Sequence, residues 1–259
     1  MRFRLLAADE PSAVLASRRD GRSAFVIAVD HASRRIPKCL ATLGLAQPDL
    51  ERHIAWDIGA LAVAQSVSAA LDAPLVAQNY SRLVIDCNRR PGDPASIPTI
   101  SESTLIPGNL DLPAEQISAR QREVFDPYHQ HLGALLEERA AAGRRTILIV
   151  QHSMTNVFKG VRREMHAAVL YNRDPRFGGC LLEALRSETG LIVGDNEPYS
   201  GKEQIGYTLP HHGESRGIPH VEVEIRQDLI QLPSGHAEWS RRMTAALLAA
   251  EQALLRRFS

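Results

Sequence analysis

The feature that most constrains this chain is a recurrence of short apolar runs, bounded by turn residues and mostly followed by stretches with helical spacing. Ala24–Val29, Leu75–Ala77, Leu83–Cys87, Thr146–Val150, Ala167–Tyr171, Leu191–Gly194 and Val221–Ile225 read as strands. Helical patterns fill the intervals at about Pro48–Leu71, Ala114–Ala142, Arg176–Glu188 and Glu238–Arg257, with a break or kink expected near Pro127. Strands alternating with helices predict an α/β fold, a largely parallel sheet covered on both faces. With 259 residues and no repeat, low-complexity tract or Gly/Ser linker, residues 1–259 are expected to form one domain.

Two stretches break the pattern. Residues 91–113 carry Pro91, Pro94, Pro98, Pro107 and Pro113, which rule out a regular helix or a central strand. Residues 195–219 carry Gly201, Gly206, Gly213 and Gly217, which suit turns. Each is long enough to cover a cleft at one edge of the sheet; the alternative is a plain surface loop.

Charge narrows the partners. Lys+Arg and Asp+Glu balance at 30 each, so the chain has no electrostatic footprint for nucleic acid or an anionic membrane. The longest uncharged run, Ile58–Leu71, is too short to span a bilayer. Arg2 and Arg4 meet Asp9 and Glu10 before a signal-peptide core can form. Cys39, Cys87 and Cys180 lack metal or redox spacing, which fits a reducing cytoplasm. No phosphate-binding Gly-rich loop, Gly-x-Gly-x-x-Gly or Gly-x-Ser-x-Gly is present, which disfavours kinase, dehydrogenase and serine-hydrolase chemistry. A small-molecule ligand is the expected partner.

His31 and His152 each lie just past an apolar strand, at the edge where open α/β sheets bind ligands. Two imidazoles there can share a divalent metal; equally, they can cap loops beside the turn formers Ser33 and Ser153. Asp57 falls on the apolar stripe Leu50, Ile54, Asp57, Leu61 of the expected helix, and a carboxylate in such a setting needs a metal or an Arg as partner. His53, one turn earlier, is a weaker ligand candidate. Arg82, Asp86, Asn88 and Arg89 flank the exit of an expected strand. An Arg fork with an Asn donor suits a carboxylate, whereas Asp86 is expected to pair structurally with Arg and Arg90 to face solvent. The alternation in His220–Arg226 puts His220, Glu222, Glu224 and Arg226 on one face, either toward solvent or, near a metal, supplying a general base. His212 and Arg216 lie in the Gly-rich loop and could contact substrate if it closes.

Taken together, these segments resemble the N-formylglutamate amidohydrolases. The resemblance is carried by Asp30-His31-Ala32-Ser33 with Ile36-Pro37, His53 to Gly59, Ser81 to Arg89, Pro127-Tyr128-His129, His152-Ser153, Gly194 to Tyr199 and Glu224 to Leu229. It implies a three-layer α/β/α fold with a mixed, mostly parallel central sheet, like the zinc carboxypeptidases and the aspartoacylase group, whose Asp-x-Asn-Arg segment resembles Asp86-Cys87-Asn88-Arg89. It also implies hydrolysis of an N-acyl amino acid around one divalent metal, zinc by preference, held by His31 and His152. By the same resemblance Asn88 and Arg89 would hold the substrate carboxylate, Arg82 the acyl oxygen or a second carboxylate, and Glu224 would be the base. The relatives carry a ligating Glu three residues after the first His, where this chain has Arg34, so Asp57 is taken as the third ligand. Ser33 stands where Gly is common. The alternatives are another N-acyl amino-acid deacylase, a small metallopeptidase, or a noncatalytic amino-acid sensor. A sensor would not need a base beside three ligands.

Overall fold

The computed structural model describes residues 3–198 and 206–258; Tyr199 and Gly201 lie outside the described residues. In chain order the elements are β1 (Val14–Ser17), β2 (Phe25–Val29), α1 (Gln47–Leu50), α2 (Ala60–Leu71), β3 (Leu75–Gln78), β4 (Ile100–Ser101), β5 (Thr104–Leu105), α3 (Ala114–Arg120), α4 (Asp126–Ala141) and β6 (Ile147–Met154). They continue with β7 (Val157–Phe158), β8 (Val161–Arg162), β9 (Ala167–Leu170), α5 (Arg176–Arg186), β10 (Val193–Asp195), β11 (His220–Arg226) and α6 (Pro233–Phe258). Seven strands form one sheet in the order β1-β3-β2-β6-β11-β9-β10, antiparallel at β1/β3 and β11/β9 and parallel elsewhere.

The pleat explains the layers. Phe25, Ile27 and Val29 point to one face and pack with apolar residues of α2, α5 and α6; Val26 and Ala28 point to the other and pack with Tyr128, Leu132 and Leu135 of α4. Each large side chain so buried contributes about 1.5–3 kcal/mol, which fixes β2 in the middle of the sandwich. β3 lies on one side of β2 and β6 on the other, so the chain reverses its progress across the sheet there and leaves a crevice at the carboxyl ends of β2 and β6. No helix among the described residues is long and apolar enough to cross a membrane.

Three expectations need correction. The helix expected over Pro48–Leu71 is two helices, α1 and α2, separated by turns. Gly59 forces the break: its φ is +79°, and a Cβ there would lie 1.9 Å from the Ile230 carbonyl oxygen. Leu83–Cys87 is a buried run of turns and not a strand. Its carbonyls find side chains in place of a neighbouring strand: Asn109 Nδ2 donates to Leu83 O (2.9 Å) and Arg120 Nη1 to Val84 O (3.0 Å). β6 runs to Met154, so His152 sits inside a strand, because β11 pairs with it beyond the end of β2. The expected kink near Pro127 is a π-helical turn, Gln121–Phe125, inserted between α3 and α4. β1 is not among the expected strands, although Ala13–Ala16 is an apolar run; it is short, mostly exposed and paired antiparallel to β3 at the sheet edge.

Candidate active site

β2 delivers His31 just past its end, and β6 delivers His152 through its pairing with Glu224 of β11. Asp57 reaches them from the turn before α2, anchored by its own N–H donating to the His31 carbonyl (2.9 Å). Its Oδ2 lies 2.7 Å from His152 Nδ1 and 3.4 Å from His31 Nδ1. One ligand atom from each of these buried residues falls within 4.8 Å of the others. The far nitrogens meet further carboxylates. His31 Nε2 is 2.7 Å from Asp86 Oδ1, and His152 Nε2 is 3.3 Å from Asp30 Oδ2, within ion-pair reach but outside hydrogen-bond geometry. Asp30 is aimed by two hydroxyls donating to its Oδ1, Tyr128 (2.6 Å) and Thr208 (2.9 Å). Arg82 bridges the group, 2.8 Å from Asp86 Oδ2 and 3.5 Å from Asp57 Oδ1.

Beside this cluster opens a cleft of about 150 Å³, lined also by Asn88, Arg89, Glu222 and Glu224, with Met154, Leu170, Leu209 and Pro210 as its apolar wall. Asn88 Oδ1 accepts the Thr208 N–H (3.0 Å), which leaves Nδ2 to donate to Glu222 Oε2 (3.4 Å). Arg89 donates to the Asn88 carbonyl (2.9 Å) and makes no ion pair among the described residues. Glu224 Oε2 is buried with no hydrogen-bond partner among the described residues. Burial pushes the Glu224 carboxyl up to about 8, with help from Asp57 and Glu222 and opposition from His152.

Five carboxylates, Asp30, Asp57, Asp86, Glu222 and Glu224, surround two imidazoles and one bridging guanidinium. Burial and Arg82 push His31 down, but Asp86 and Asp57 outweigh them and raise it. Burial likewise opposes His152, yet Glu222, Asp30 and Asp57 raise it well above the ordinary range. These residues fit a divalent cation. Two imidazole nitrogens and a carboxylate oxygen converge, each ring is backed by a carboxylate that orients it, and a dication would offset surplus negative charge that otherwise draws protons. Arg34 takes no part: it pairs with Glu51 (3.2 Å) and lies over Trp56.

The sequence pattern of the N-formylglutamate amidohydrolases matches residues 23–231, which include every residue of the cleft. The chain belongs to the N-formylglutamate amidohydrolase family. Among solved structures, it is similar to gene product Atu2144 from Agrobacterium tumefaciens, with a TM-score of 0.93 and 35% identity over 98% of this chain and 99% of that one. It shares its fold with N-formylglutamate amidohydrolase from Ralstonia eutropha JMP134, with a TM-score of 0.68 and 21% identity over 96% of this chain and 100% of that one. Among the curated proteins no sequence matches.

In this amidohydrolase the structure brings His31, Asp57, His152, Arg82, Asn88, Arg89 and Glu224 to one cleft. It does not bring His212 and Arg216 there, contrary to expectation; they line a separate hollow with Phe125, His129 and Glu137. Arg216 is occupied by Glu137 (3.2 Å) and the His211 carbonyl (2.9 Å). Of the two irregular stretches, the Gly-rich one lines the cleft, through Gly206, Leu209 and Pro210; the Pro-rich one reaches it indirectly, with Glu102 3.1 Å from His53 Nε2. Asp86 does pair with Arg82, and also with His31. Sequence reasoning missed Asp30 and Glu222 as partners of the histidines, although each had a signal, one preceding His31 and the other two residues from Glu224 on the same strand face.

Proposed function

We propose that the cleft hydrolyses the amide of an N-acylated amino acid, with N-formyl-L-glutamate, yielding formate and L-glutamate, as first choice. One observation carries this reading: His31, Asp57 and His152 converge beside a buried, unpartnered carboxylate oxygen of Glu224 in the same cleft. His31, Asp57 and His152 would hold one divalent cation, with zinc favoured by two nitrogens and an oxygen. Such a cation supplies Lewis acidity to the acyl oxygen and acidifies a neighbouring water. Glu224 takes the proton of the attacking water and returns it to the departing nitrogen, a double duty open to a buried carboxylate oxygen beside the three ligands. Arg82, fixed by Asp86 and Asp57, stabilises the negative charge that develops on the acyl oxygen. Asn88 Nδ2 and the Arg89 guanidinium bind the substrate carboxylate. The apolar wall of Met154, Leu170 and Leu209 favours, as a second reading, an acyl group bulkier than formyl.

The test is elemental analysis of the purified protein combined with formate release from N-formyl-L-glutamate, before and after chelation. About one equivalent of metal with chelator-sensitive release is expected. Protein that stays metal-free under replete conditions would overturn the ligand assignment, and bound metal without release would shift the substrate to the bulkier acyl groups.

A further inference from the structure

His129 and His212 stand outside the cleft, yet both are buried and joined to each other. His129 Nε2 lies 2.8 Å from the Cys87 carbonyl oxygen, and its Nδ1 lies 3.0 Å from His212 Nε2. His212 Nδ1 lies in turn 3.4 Å from Arg216 Nη1. The two ends fix the direction of this row. A carbonyl only accepts, so His129 Nε2 carries the proton and Nδ1 is a bare acceptor; His212 Nε2 must then donate to it, which leaves His212 Nδ1 bare to accept from a guanidinium that only donates. The match requires both rings to be neutral. Burial supplies that condition, pushing His129 down to about 4, with His211 adding and Asp30 and the Cys87 carbonyl opposing. Burial pushes His212 down to about 2, with His129, His211 and Arg216 adding.

The row ends on the segment that faces substrate. Cys87 precedes Asn88, whose carbonyl accepts the Tyr207 N–H (3.0 Å) and whose Oδ1 accepts the Thr208 N–H (3.0 Å). Those two residues lead into the π-helical turn Leu209–Gly213 that carries His212, while His129 belongs to α4. Gly206 closes the other side: a Cβ there would come within 2.4 Å of Asn88 Oδ1. Asn88 is therefore gripped by the start of the turn, and the turn is latched to α4 through the two rings.

We propose that His129 and His212 are positioning residues: the row from Arg216 through both rings to the Cys87 carbonyl sets the orientation of the Asn88 amide, and with it the carboxylate subsite. This rests on the reading of Asn88 as a substrate ligand. A purely structural role, through the aromatic packing of His129 with Phe125 (4.3 Å between centroids) and Tyr207 (4.8 Å), is separable because His129→Phe keeps a ring and loses the row. His129→Gln keeps one donor and one acceptor. Steady-state kinetics of the metal-loaded enzyme on N-formyl-L-glutamate should show KM raised roughly tenfold in His129→Phe, with kcat within about threefold of wild type and metal content unchanged; His129→Gln should recover most of the KM loss. An unchanged KM in His129→Phe, or a glutamine variant as impaired as the phenylalanine one, overturns the positioning alone. Wild-type protein that turns over no N-acyl amino acid overturns the function, and the positioning with it. Should His129→Phe fail to fold, ring nitrogen-15 shifts of the wild type decide the matter: protonated Nε2 with bare Nδ1 on both rings supports the row, and the reverse tautomer on either ring overturns it.

Discussion

Two pairs of histidines lie at nearly the same spacing and have opposite chemistry. The rings of His31 and His152 are 4.9 Å apart and those of His129 and His212 are 5.2 Å apart. Carboxylates touch both members of the first pair and draw protons onto them; the second pair sits among aromatic rings, with a carbonyl at one end and a guanidinium at the other, and is held neutral. A histidine's function in this fold is thus set by what the backbone brings against its two nitrogens. Asp30 joins the two regions: Oδ2 faces His152, while Oδ1 receives the hydroxyl of Tyr128, the residue before His129, and that of Thr208, four residues before His212.

The largest effect should come from the carboxylate that only the first pair has. Asp57→Asn removes the charge and sets an NH₂ in place of one of the two oxygens, so the cation proposed for this site should be lost and amide hydrolysis should fall to background, as read by elemental analysis and product release. Full metal content in that variant would remove Asp57 from the ligand set. Next comes Glu224→Gln, which leaves the three proposed ligands in place. Metal should be retained while kcat falls roughly 100- to 10,000-fold. Normal turnover would mean that another group moves the proton.

The first pair was legible in the sequence because strands advertise their ends: β2 and β6 are apolar runs with a histidine at or near the exit, and the sheet brings those exits together whatever the intervening chain does. Asp57 was legible for a reason the fold does not use. It lies in the turn before α2, set there by Gly59 and by its N–H on His31, and not on a helical stripe. Leu83–Cys87 misled because apolarity reports burial and not conformation: Val84 is fully buried, but its carbonyl is satisfied by Arg120, whose position in sequence gives no hint of that contact. The second pair was invisible as a pair, since the His129 and His212 contact joins elements 83 positions apart and neither lies near a strand end.

Asp30→Asn should uncouple the two pairs of histidines. An amide cannot supply the charge that backs His152, and its NH₂ has no reason to face a ring nitrogen that carries a proton. Loss of such a supporting carboxylate weakens metal affinity by about 10–100-fold, so a competition titration with a chelator should show that drop while the saturated variant keeps most of its kcat. Unchanged affinity would mean that Asp30 serves only to tie Tyr128 and Thr208 together.

The smallest effect at neutral pH, and the clearest in acid, belongs to the second pair. In the unfolded chain His129 takes up a proton near its ordinary value of 6.5, whereas in the folded protein burial holds it down to about 4. Between those values the unfolded state binds more protons than the native one, so this group's contribution to stability falls as pH falls from about 6.5 to 4 and is flat above that window. Its full extent is roughly 3 kcal/mol. The first pair, raised in the absence of metal, contributes with the opposite sign: its stabilisation is complete below about 6.5 and is lost as pH rises through the folded values. Urea unfolding of wild type and His129→Gln at pH 7 and pH 4.5 reads the contribution of His129 together with its effect on His212, because the remaining titrating groups are common to both proteins. The gap between the two should shift in favour of the glutamine variant on acidification. A gap that does not move with pH would mean that His129 takes up its proton in the folded protein at no cost, and that the two histidine pairs differ less than their surroundings indicate.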